Sequence, residues 1–458
     1  MEDEIRVLAP QGLLGYGFPV KSFQEALRRN PHVIAVDGGS TDPGPYYLGA
    51  GVSFTDQLAV KRDLEFMLEA ALDKGIPLII GTAGGAGGKP HLDWNVDIVK
   101  EIAKERDYSF LMAVISAEIN KDVIFKKLTD GKIRTFETRK ELKAEDVSRS
   151  TRIVAQMGVE PFLKALDAGA QVIVAGRAYD PACQAAVPLK HGFDCGLVMH
   201  MCKILECGAI ACVPGTASDC LLGTIRKDHF IVEPTNSDRR CTEVSVAAHT
   251  LYEKGNTDFL PGPGGAIDLR QVKFEQMGDR AVKVSGSRFI KDDVYAIKLE
   301  GAARVGFRTI SIAGARCPKM ISQIDSIITG VKERVQENFI TVPTTDYQTI
   351  FHIYGKNGVM GDLEPEKTIR SHELGIVIEV VAKTQELANA ICSVARSVML
   401  HFGYPGRIAT AGNLAFLYSP SDLKAGEVYE FSVYHLMEVT DSCEMFPMEL
   451  IKVRGNLS

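Results

Sequence analysis

Pro77-Leu-Ile-Ile-Gly-Thr-Ala-Gly-Gly-Ala-Gly-Gly-Lys89 is an apolar segment that runs directly into a glycine-rich turn. Two other segments have the same form, His32-Val-Ile-Ala-Val-Asp-Gly-Gly-Ser-Thr-Asp42 and Gln171-Val-Ile-Val-Ala-Gly-Arg-Ala-Tyr-Asp180. Short continuous apolar runs are typical of parallel strands that helices cover on both faces. Because the carboxyl ends of parallel strands meet at one edge of a sheet, we expect the three turns to converge there.

Segments with the periodicity of amphipathic helices lie between these strands. They cover residues 56–74, 94–105 and 148–168, and a further apolar strand is predicted over residues 110–115. The alternation of short strands with helices is the pattern of βαβ units. The predicted fold class is therefore α/β, a mostly parallel three-layer α/β sheet with Gly/Asp-rich turns at its carboxyl edge.

The second half of the chain has a different pattern. Residues 280–286 and 295–301 alternate apolar and polar side chains, as half-exposed strands do. Residues 375–381 followed by 385–402 predict a strand and then a helix. We expect three regions, an α/β ligand-binding domain over 1–235, a mixed α/β extension over 236–340 and a small α+β C-terminal domain over 341–458.

Composition excludes several classes of protein. Of the 458 residues, 45% are hydrophobic and 24% charged, which is typical of a globular chain. A net charge of −6 offers no basic stripe for nucleic acid or a membrane surface, and no run approaches the roughly 20 apolar residues of a membrane span. The acidic start is unlike a secretory signal, and ten cysteines are too few for a disulfide scaffold. We expect a cytoplasmic protein with reduced thiols.

The first turn places two carboxylates on either side of a hydroxyl, since Asp37 and Asp42 bracket Ser40. Carboxylates at a sheet edge can hold Mg²⁺ or Mn²⁺ through their oxygen atoms. Asp and Ser are used equally well to cap the turn that follows a strand. The sequence leaves both alternatives open, a metal held near Asp37 and Asp42 or a capped turn.

The second turn has the composition of an anion cradle. Glycine lets a backbone approach a ligand closely, free amides at a helix start attract negative charge, and Lys89 could supply a counter-charge. The alternative is that these glycines only make a tight turn. The turn is not a Walker loop, and its imperfect G-x-G-x-x-G match argues against a nicotinamide site. The residues predicted to bind substrate in the first two turns are Gly38, Gly39, Ser40, Thr82, Gly84, Gly85, Gly87 and Lys89.

The third turn carries an arginine and an acid. Arg177 could hold a substrate carboxylate through its guanidinium fork, and Asp180 could move a proton. A purely structural bridge between the two is the alternative. Three such turns at one sheet edge favour a ligand site there over a set of plain loops.

Seven of the ten cysteines fall between residues 183 and 241. No Cys-x2-Cys pair occurs, so neither a zinc site nor an iron–sulfur cluster is expected. We expect no haem either. A helix would place Cys207 on one face with His200 and Lys203, where a cation lowers a thiol pKa. Cys207 is therefore a candidate nucleophile, and its neighbour Glu206 is a further catalytic candidate.

His249 precedes Glu253 by four residues. On a helix the carboxylate could orient the imidazole for acid–base catalysis. A solvated pair on a helix face explains the same spacing.

Several of these segments resemble the acyclic terpene utilisation AtuA family. The motifs that carry the resemblance are Asp37-Gly-Gly-Ser-Thr-Asp-Pro-Gly-Pro-Tyr-Tyr-Leu-Gly49, Gly81-Thr-Ala-Gly-Gly-Ala-Gly-Gly88, Ala175-Gly-Arg-Ala-Tyr-Asp-Pro-Ala182, Lys203-Ile-Leu-Glu-Cys-Gly-Ala209, Ala248-His-Thr-Leu-Tyr-Glu253, Pro263-Gly-Gly-Ala-Ile-Asp268, Lys298-Leu-Glu-Gly-Ala302 and Val305-Gly-Phe-Arg-Thr-Ile310. The resemblance covers roughly residues 5–330. In Gly314-Ala-Arg-Cys-Pro318, Cys317 stands where an Asp is expected in the family, a departure that bears on the inferred activity.

The resemblance implies a catabolic enzyme acting on a carboxylic acid or its CoA thioester. The family's name comes from the breakdown of citronellol and geraniol. Shorter members are similar to proteins encoded beside amino-acid and dicarboxylate degradation enzymes, often with a small companion polypeptide. We expect a lyase, with hydration or dehydration of a small unsaturated or hydroxy acid as the leading reaction.

In this scheme the amides of the second turn, with Lys89 and Arg177, hold the substrate carboxylate, and Asp180 or His249 moves the proton α to it. A divalent ion held near Asp37 and Asp42 would stabilise the enolate charge. One alternative is a carbon–carbon lyase or acyltransferase with Cys207 as the nucleophile. Another is a non-catalytic subunit that binds an acyl ligand or a partner. We expect a homo-oligomer, with a small companion protein as a further partner and with no nucleic acid or membrane partner.

Overall fold

The computed structural model describes residues 3–137, 140–252 and 255–455. The chain forms two compact units, the first made of Met1–Ala303 with Phe431–Ser458 and the second of Arg304–Glu430. Neither unit begins or ends near the boundaries expected at 235 and 340. Residues that follow position 235 add strands to the same sheet as the first half of the chain, and the last strand of the chain returns to that sheet.

The strands are β1 (Ile5–Ala9), β2 (Val33–Asp37), β3 (Leu78–Gly81), β4 (Phe110–Ile115), β5 (Ile133–Thr135), β6 (Arg152–Gln156), β7 (Val172–Ala175), β8 (Cys212–Val213), β9 (Leu221–Ile225), β10 (His229–Pro234), β11 (Arg240–Cys241), β12 (Phe259–Gly262), β13 (Gly265–Asp268), β14 (Lys273–Met277), β15 (Ala281–Ser285), β16 (Arg288–Lys291), β17 (Ala296–Ala315), β18 (Tyr347–Tyr354), β19 (Leu374–Ala382), β20 (Ala415–Phe416), β21 (Asp422–Glu438) and β22 (Met448–Val453). The helices are α1 (Val20–Arg28), α2 (Pro45–Ala50), α3 (Gln57–Lys74), α4 (Lys89–Arg106), α5 (Lys121–Thr129), α6 (Ala144–Arg149), α7 (Glu160–Asp167), α8 (Ala182–Lys190), α9 (Cys195–Leu205), α10 (Glu243–Thr250), α11 (Pro318–Ile321), α12 (Ile324–Asn338) and α13 (Gln385–His401).

The first unit is built on a ten-stranded sheet with the order β14-β15-β10-β9-β1-β2-β3-β7-β4-β22. The five strands β1, β2, β3, β7 and β4 are parallel, and the flanking strands are antiparallel. The predicted α/β class is confirmed, but the sheet is mixed and parallel only at its centre. Two of the antiparallel pairs, β9–β10 and β14–β15, are joined by short turns, whereas a parallel pair requires a crossover connection.

Helices cover both faces of the parallel centre, as the continuous apolar strands predict. Along β2, Val33 and Ala35 pack into one buried cluster, with α7, α8 and α9, and Ile34 and Val36 pack into the other, with α1, α3 and α4. Successive side chains of a strand point to opposite faces, so one apolar run supplies both cores. The three-layer arrangement follows from this pattern.

Most of the predicted elements near the sheet centre are present, but one predicted helix is wrong. The segment over residues 148–168 contains the end of α6, then strand β6, then α7. Strand β6 pairs with the start of β17, with Ile153 opposite Gly301. Its partner is thus far away in the chain, and local periodicity carries no trace of it. The helix predicted over 94–105 is also longer, since α4 begins at Lys89 with a proline in its first turn.

A second set of strands in the first unit contributes residues from later in the chain to the site described below. The first residues of β17 pair with β6, and β5 pairs with the last residues of β21, from His435 to Met437. Lys298 and Glu300 lie on this part of β17, and Tyr434 lies on this part of β21. These three residues contribute to the site described below.

The second unit contains an antiparallel sheet of β18, β19 and the later residues of β17, from Phe307 to Ala315. Helices α12 and α13 supply the other half of its buried cluster. The strand predicted over 375–381 and the helix predicted over 385–402 are confirmed as β19 and α13. In neither unit is any described helix long and apolar enough to cross a bilayer.

Candidate active site

The three turns predicted to converge at the sheet edge are in contact. The amide of Gly38 donates to the carbonyl of Gly81 over 2.7 Å, and the amide of Thr82 donates to the carbonyl of Gly176 over 3.1 Å. Thr82 has a positive φ of 42°, which is unusual for a β-branched residue. Its hydroxyl lies between the second and third turns, where it accepts from the amide of Ala178 over 3.3 Å.

Arg177 is the buried cation of this junction, with 2% of its side chain exposed. Its Nε donates to Oε2 of Glu300 over 2.7 Å, and one Nη donates to the carbonyl of Ala178 over 2.7 Å and to Oδ1 of Asp180 over 3.0 Å. Both prongs of the guanidinium are thus occupied by groups of the protein. Arg177 is placed to hold Asp180 and Glu300 rather than to bind a substrate carboxylate by its fork.

Glu300 joins Arg177 to a second cation, Lys298. The Nζ of Lys298 lies 2.7 Å from Oε1 of Glu300 and 4.8 Å from the ring centre of Tyr434. Burial alone raises the pKa of Glu300, but Arg177 and Lys298 outweigh it and lower the pKa to about 2. Glu300 is therefore an anion at neutral pH that holds both cations in place.

A cavity of about 770 Å³ opens beside this junction. The charged and aromatic side chains on its wall that matter here are Arg134, Phe136, Arg177, Tyr179, Asp180, Lys203, Lys298 and Tyr434. Asp180 differs from Arg177 in being accessible, since 26% of its side chain is exposed. The structure therefore presents the Asp180 carboxylate to the cavity and fixes it from behind.

A second cavity, of about 750 Å³, adjoins the first. The two share Tyr179, Pro263 and Asp292 in their walls. Met199 and Phe289 give the second cavity part of an apolar lining. Tyr179 is buried and lies in the same turn as Asp180.

The glycines of the second turn are packed against protein backbone. A Cβ on Gly87 would lie 2.1 Å from the amide nitrogen of Arg177, and one on Gly39 would lie 2.9 Å from Cα of Gly85. A Cβ on Gly84 would lie 2.7 Å from Cβ of His91. The close approach that glycine allows is therefore made between the turns. The geometry favours the alternative of a tight turn over an open anion cradle at Gly38, Gly39, Gly84, Gly85 and Gly87.

The start of helix α4 already has an anion. The amide of Lys89 donates to Oε2 of Glu118 over 2.7 Å, and that carboxylate also pairs with Arg152 at 3.2 Å. The Lys89 side chain pairs with Asp93 instead of facing the cavity. A protein carboxylate thus occupies the position expected for a substrate carboxylate.

Asp37 and Asp42 have separate environments. Asp42 is exposed and Ser40 Oγ donates to it over 2.6 Å, while its own amide donates to Ser40 Oγ over 3.1 Å. Asp37 is buried at the end of β2, and its Oδ1 has no hydrogen-bond partner among the described residues. Burial raises the pKa of Asp37 well above its usual range, and the Asp180 carboxylate raises it further. Both effects favour the protonated form of Asp37.

These residues do not fit a divalent ion. A carboxylate must lose its proton to bind Mg²⁺ or Mn²⁺; burial disfavours that loss at Asp37, and Asp42 is engaged with Ser40. Across residues 3–137, 140–252 and 255–455, no three His, Cys, Asp or Glu side chains are grouped so that they could hold a metal. The capping alternative explains Asp42 and Ser40.

Lys203 reaches the cavity from helix α9 and is paired with Glu206 behind it. Helix α9 ends at Leu205, so Cys207 lies beyond it and not on one helical face with Lys203. The Cys207 thiol contacts the Tyr252 hydroxyl at 2.9 Å. Burial raises the pKa of Cys207 to about 12, and Glu206 contributes to the rise. The Lys203 charge lowers the pKa of this thiol, as expected, but burial and the Glu206 carboxylate outweigh it.

His249 lies behind Lys203, stacked on Tyr252 with ring centres 4.5 Å apart. Burial lowers the pKa of His249 to about 4, and the nearby Lys203 charge lowers it further. Its expected partner Glu253 lies outside the described residues. His249 is thus a buried neutral imidazole that is not among the cavity-lining residues.

The structure gathers some of the predicted residues and adds others. Arg177, Asp180 and Asp42 line the cavity, whereas Glu206, Cys207 and His249 stand behind its wall. Sequence reasoning did not place Lys298 and Glu300, and it missed Arg134, Phe136, Tyr179 and Tyr434. The Lys298-Leu-Glu300 pattern, which puts two opposite charges on one face of a strand, was the available signal.

The arrangement of strand-end turns around Arg177 and Asp180 occurs in a chain whose sequence matches a known family. The model of the acyclic terpene utilisation family protein AtuA matches residues 55–215 and 226–418. The chain belongs to the AtuA family. The match includes the turns after β3 and β7 and extends beyond the resemblance noted above, into the second unit. Comparison with curated proteins and with solved structures gives no match.

The AtuA match also covers Cys317, the position where an Asp is expected. In this chain Cys317 is exposed and lies in the second unit just before helix α11. A hydrogen bond from the Met320 amide lowers its pKa, and one from Tyr404 adds to the effect.

Proposed function

We propose that this AtuA-family chain is an enzyme, a hydro-lyase of carboxylic acid breakdown. It adds or removes water at the carbon–carbon bond next to the carbonyl of a small unsaturated or hydroxy acid, or of its CoA thioester. The observation that carries the proposal is the accessible Asp180 carboxylate, fixed by Arg177 in a cavity that also exposes cations. Membership of a family named for acyclic terpene utilisation is consistent with this class of substrate.

Two cations are available to a substrate carboxylate or carbonyl. Arg134 has no ion-pair partner among the described residues, and it lies two residues before Phe136, whose ring centre is 5.7 Å from Lys298 Nζ. Residues two apart in extended chain share a face, so Arg134 and Lys298 line the same wall. A carboxylate between them gains charge-assisted hydrogen bonds.

Asp180 then serves as the base for the α proton. Loss of the α proton leaves negative charge on the carboxyl or thioester oxygen of the substrate. The fixed cations Lys203 and Lys298 stabilise that charge. In the dehydration direction the proton passes from Asp180 to the departing β hydroxyl, the carbon–oxygen bond breaks and water leaves. One carboxyl thus accepts and returns the same proton, and hydration is the reverse.

A proton-exchange experiment tests this role without requiring the full reaction. Saturated and β-hydroxy acids and their CoA thioesters are incubated with the chain in D₂O, and loss of the α-proton signal is followed by NMR. We expect exchange with one class of acid, lost at least 100-fold in Asp180→Asn because the base is removed. Asp292→Asn, an exposed acid on the same cavity wall, is the matched control and should retain exchange.

The alternatives give other results. Exchange that persists in Asp180→Asn removes Asp180 from the reaction. The absence both of exchange and of a shift in Tm with any acid would favour the alternative of a non-catalytic subunit. Both measurements would then be repeated after co-expression with a small companion protein. A homo-oligomer and that companion remain predictions. The Cys207 alternative is less well supported, because the thiol stays protonated at neutral pH.

A further inference from the structure

Two cysteines face each other on neighbouring short strands of the first unit. Cys212 of β8 and Cys241 of β11 are directly opposite in an antiparallel pair. Their sulfur atoms lie 3.6 Å apart, and both side chains are buried. Both are free thiols.

The position of the pair suits a disulfide. Residues directly opposite in an antiparallel pair have Cα atoms about 4.5 to 5.5 Å apart. Disulfides span Cα distances of about 4.4 to 6.8 Å, with the sulfur atoms about 2.0 Å apart. The two sulfur atoms therefore need to approach by about 1.5 Å, which side-chain rotation supplies without a change of strand pairing.

We propose that Cys212 and Cys241 are a modification site, at which peroxide oxidises the two thiols to a reversible intramolecular disulfide. One thiol attacks a peroxide oxygen, the O–O bond breaks, and a sulfenic acid and one water form. The second thiol attacks that sulfur, and a second water leaves as the disulfide forms. Two electrons pass from the thiols to one hydrogen peroxide, and a dithiol reductant reverses the step.

The two thiols have different roles in this step. Cys212 has 3% of its surface exposed and Cys241 has none, so peroxide meets Cys212 first. The hydrogen bond with Cys212 raises the pKa of Cys241 far above its usual range, with burial adding to it, so Cys241 is the thiol that reacts second. Burial makes the oxidation slow in comparison with that of an exposed thiol.

The disulfide would join two strands that are next in the chain to elements carrying candidate residues. Strand β8 follows the segment after helix α9, which carries Lys203, and β11 leads into helix α10, which carries His249. Closing the chain between positions 212 and 241 restricts the unfolded chain, so the oxidised protein should be the more stable form. The inference does not depend on the proposed reaction, since it needs only the two strands.

Peptide mapping tests the site directly. The folded chain carrying Cys317→Ser, which removes the exposed thiol, is treated with hydrogen peroxide, alkylated and digested with trypsin. We expect the peptides 204–226 and 241–254 joined, lighter by two hydrogen atoms than their sum, and released by dithiothreitol. Two free thiols should be lost and Tm should rise by several degrees.

Matched variants identify the sulfur atoms, because peptide 204–226 also contains Cys207 and Cys220. The cross-link should vanish in Cys212→Ser and in Cys241→Ser, and persist in Cys207→Ser and Cys220→Ser. A cross-link that persists in Cys212→Ser overturns the assignment. The proposal is also overturned if all free thiols remain after treatment with peroxide and with diamide, and if the Tm of the treated protein equals that of the untreated protein.

Discussion

Arg177 Nε and Glu300 Oε2 lie 2.7 Å apart although the two residues are 123 positions apart in the chain. The pair joins the turn after β7 to strand β17, with both side chains buried. Asp180 and Lys298 are attached to its two ends. The cavity wall depends on this ion pair, and its removal is the most direct test of the site's construction.

Glu300→Gln should destabilise the chain by about 3 to 5 kcal/mol, because it leaves Arg177 and Lys298 as buried cations with too little negative charge. Urea unfolding measures this change. Glu427→Gln is the matched control, since Glu427 pairs with Arg304 at 2.7 Å but at a partly exposed site, and it should cost about 1 kcal/mol or less. Equal effects of the two variants would contradict a supporting role for the buried pair.

Asp37→Asn should stabilise the chain, and more so as pH rises. The folded-state pKa of Asp37 is raised by burial, so its favourable contribution is complete below the unfolded pKa and is lost as pH rises through the folded pKa. Asparagine has nearly the same shape as aspartic acid but does not ionise, so the variant avoids this loss of stability at high pH. Guanidinium unfolding at pH 5 and pH 8 checks this, with the exposed Asp42→Asn as control. A destabilisation that grows with pH would show instead that Asp37 is ionised and paired.

Alkylation with iodoacetamide at pH 8 should modify Cys317 on the order of 100-fold faster than Cys207. Cys317 is exposed and hydrogen bonds lower its pKa, whereas burial raises the pKa of Cys207 to about 12. Mass spectrometry of timed samples gives both rates. Faster modification of Cys207 would restore it as a candidate nucleophile.

Gly87→Ala should destabilise the chain by more than about 3 kcal/mol, since it adds a clash to the cost of a positive φ. The new Cβ would lie 2.1 Å from the Arg177 amide nitrogen. Gly131→Ala is the control, because Gly131 has nearly the same φ, +68° against +67°, and nothing within 4 Å of its Cβ. It should cost about 1 to 2 kcal/mol. Equal losses in thermal unfolding would mean that the turn moves aside.

The sequence was sufficient for the centre of the sheet. Continuous apolar runs predict β2, β3, β4 and β7, because a strand buried on both faces needs apolar residues throughout. The rule that parallel strands end at one edge also predicts that Asp37, Thr82 and Arg177 meet. These features depend on local pattern and on a general rule of topology, so no distant contact had to be known.

The remaining features depend on distant contacts. The local pattern predicts a helix at strand β6, because the partner strand β17 lies far along the chain. Glycines suggested an open cradle, yet the space beside Gly87 is filled by the backbone of Arg177. The anion at helix α4 is Glu118, which no spacing rule identifies. Residue types predict which ligand a turn could bind, whereas the fold determines whether another group of the protein already occupies that position.

Tyr179 belongs to the walls of both cavities, so a single phenol ring forms part of the surface of each. A ligand that displaces this ring from one cavity changes the shape of the other. Two small molecules bound in the two cavities would therefore affect each other's affinities, and the coupling is reciprocal. Fragments found separately in the two spaces could be joined across this ring into one longer inhibitor.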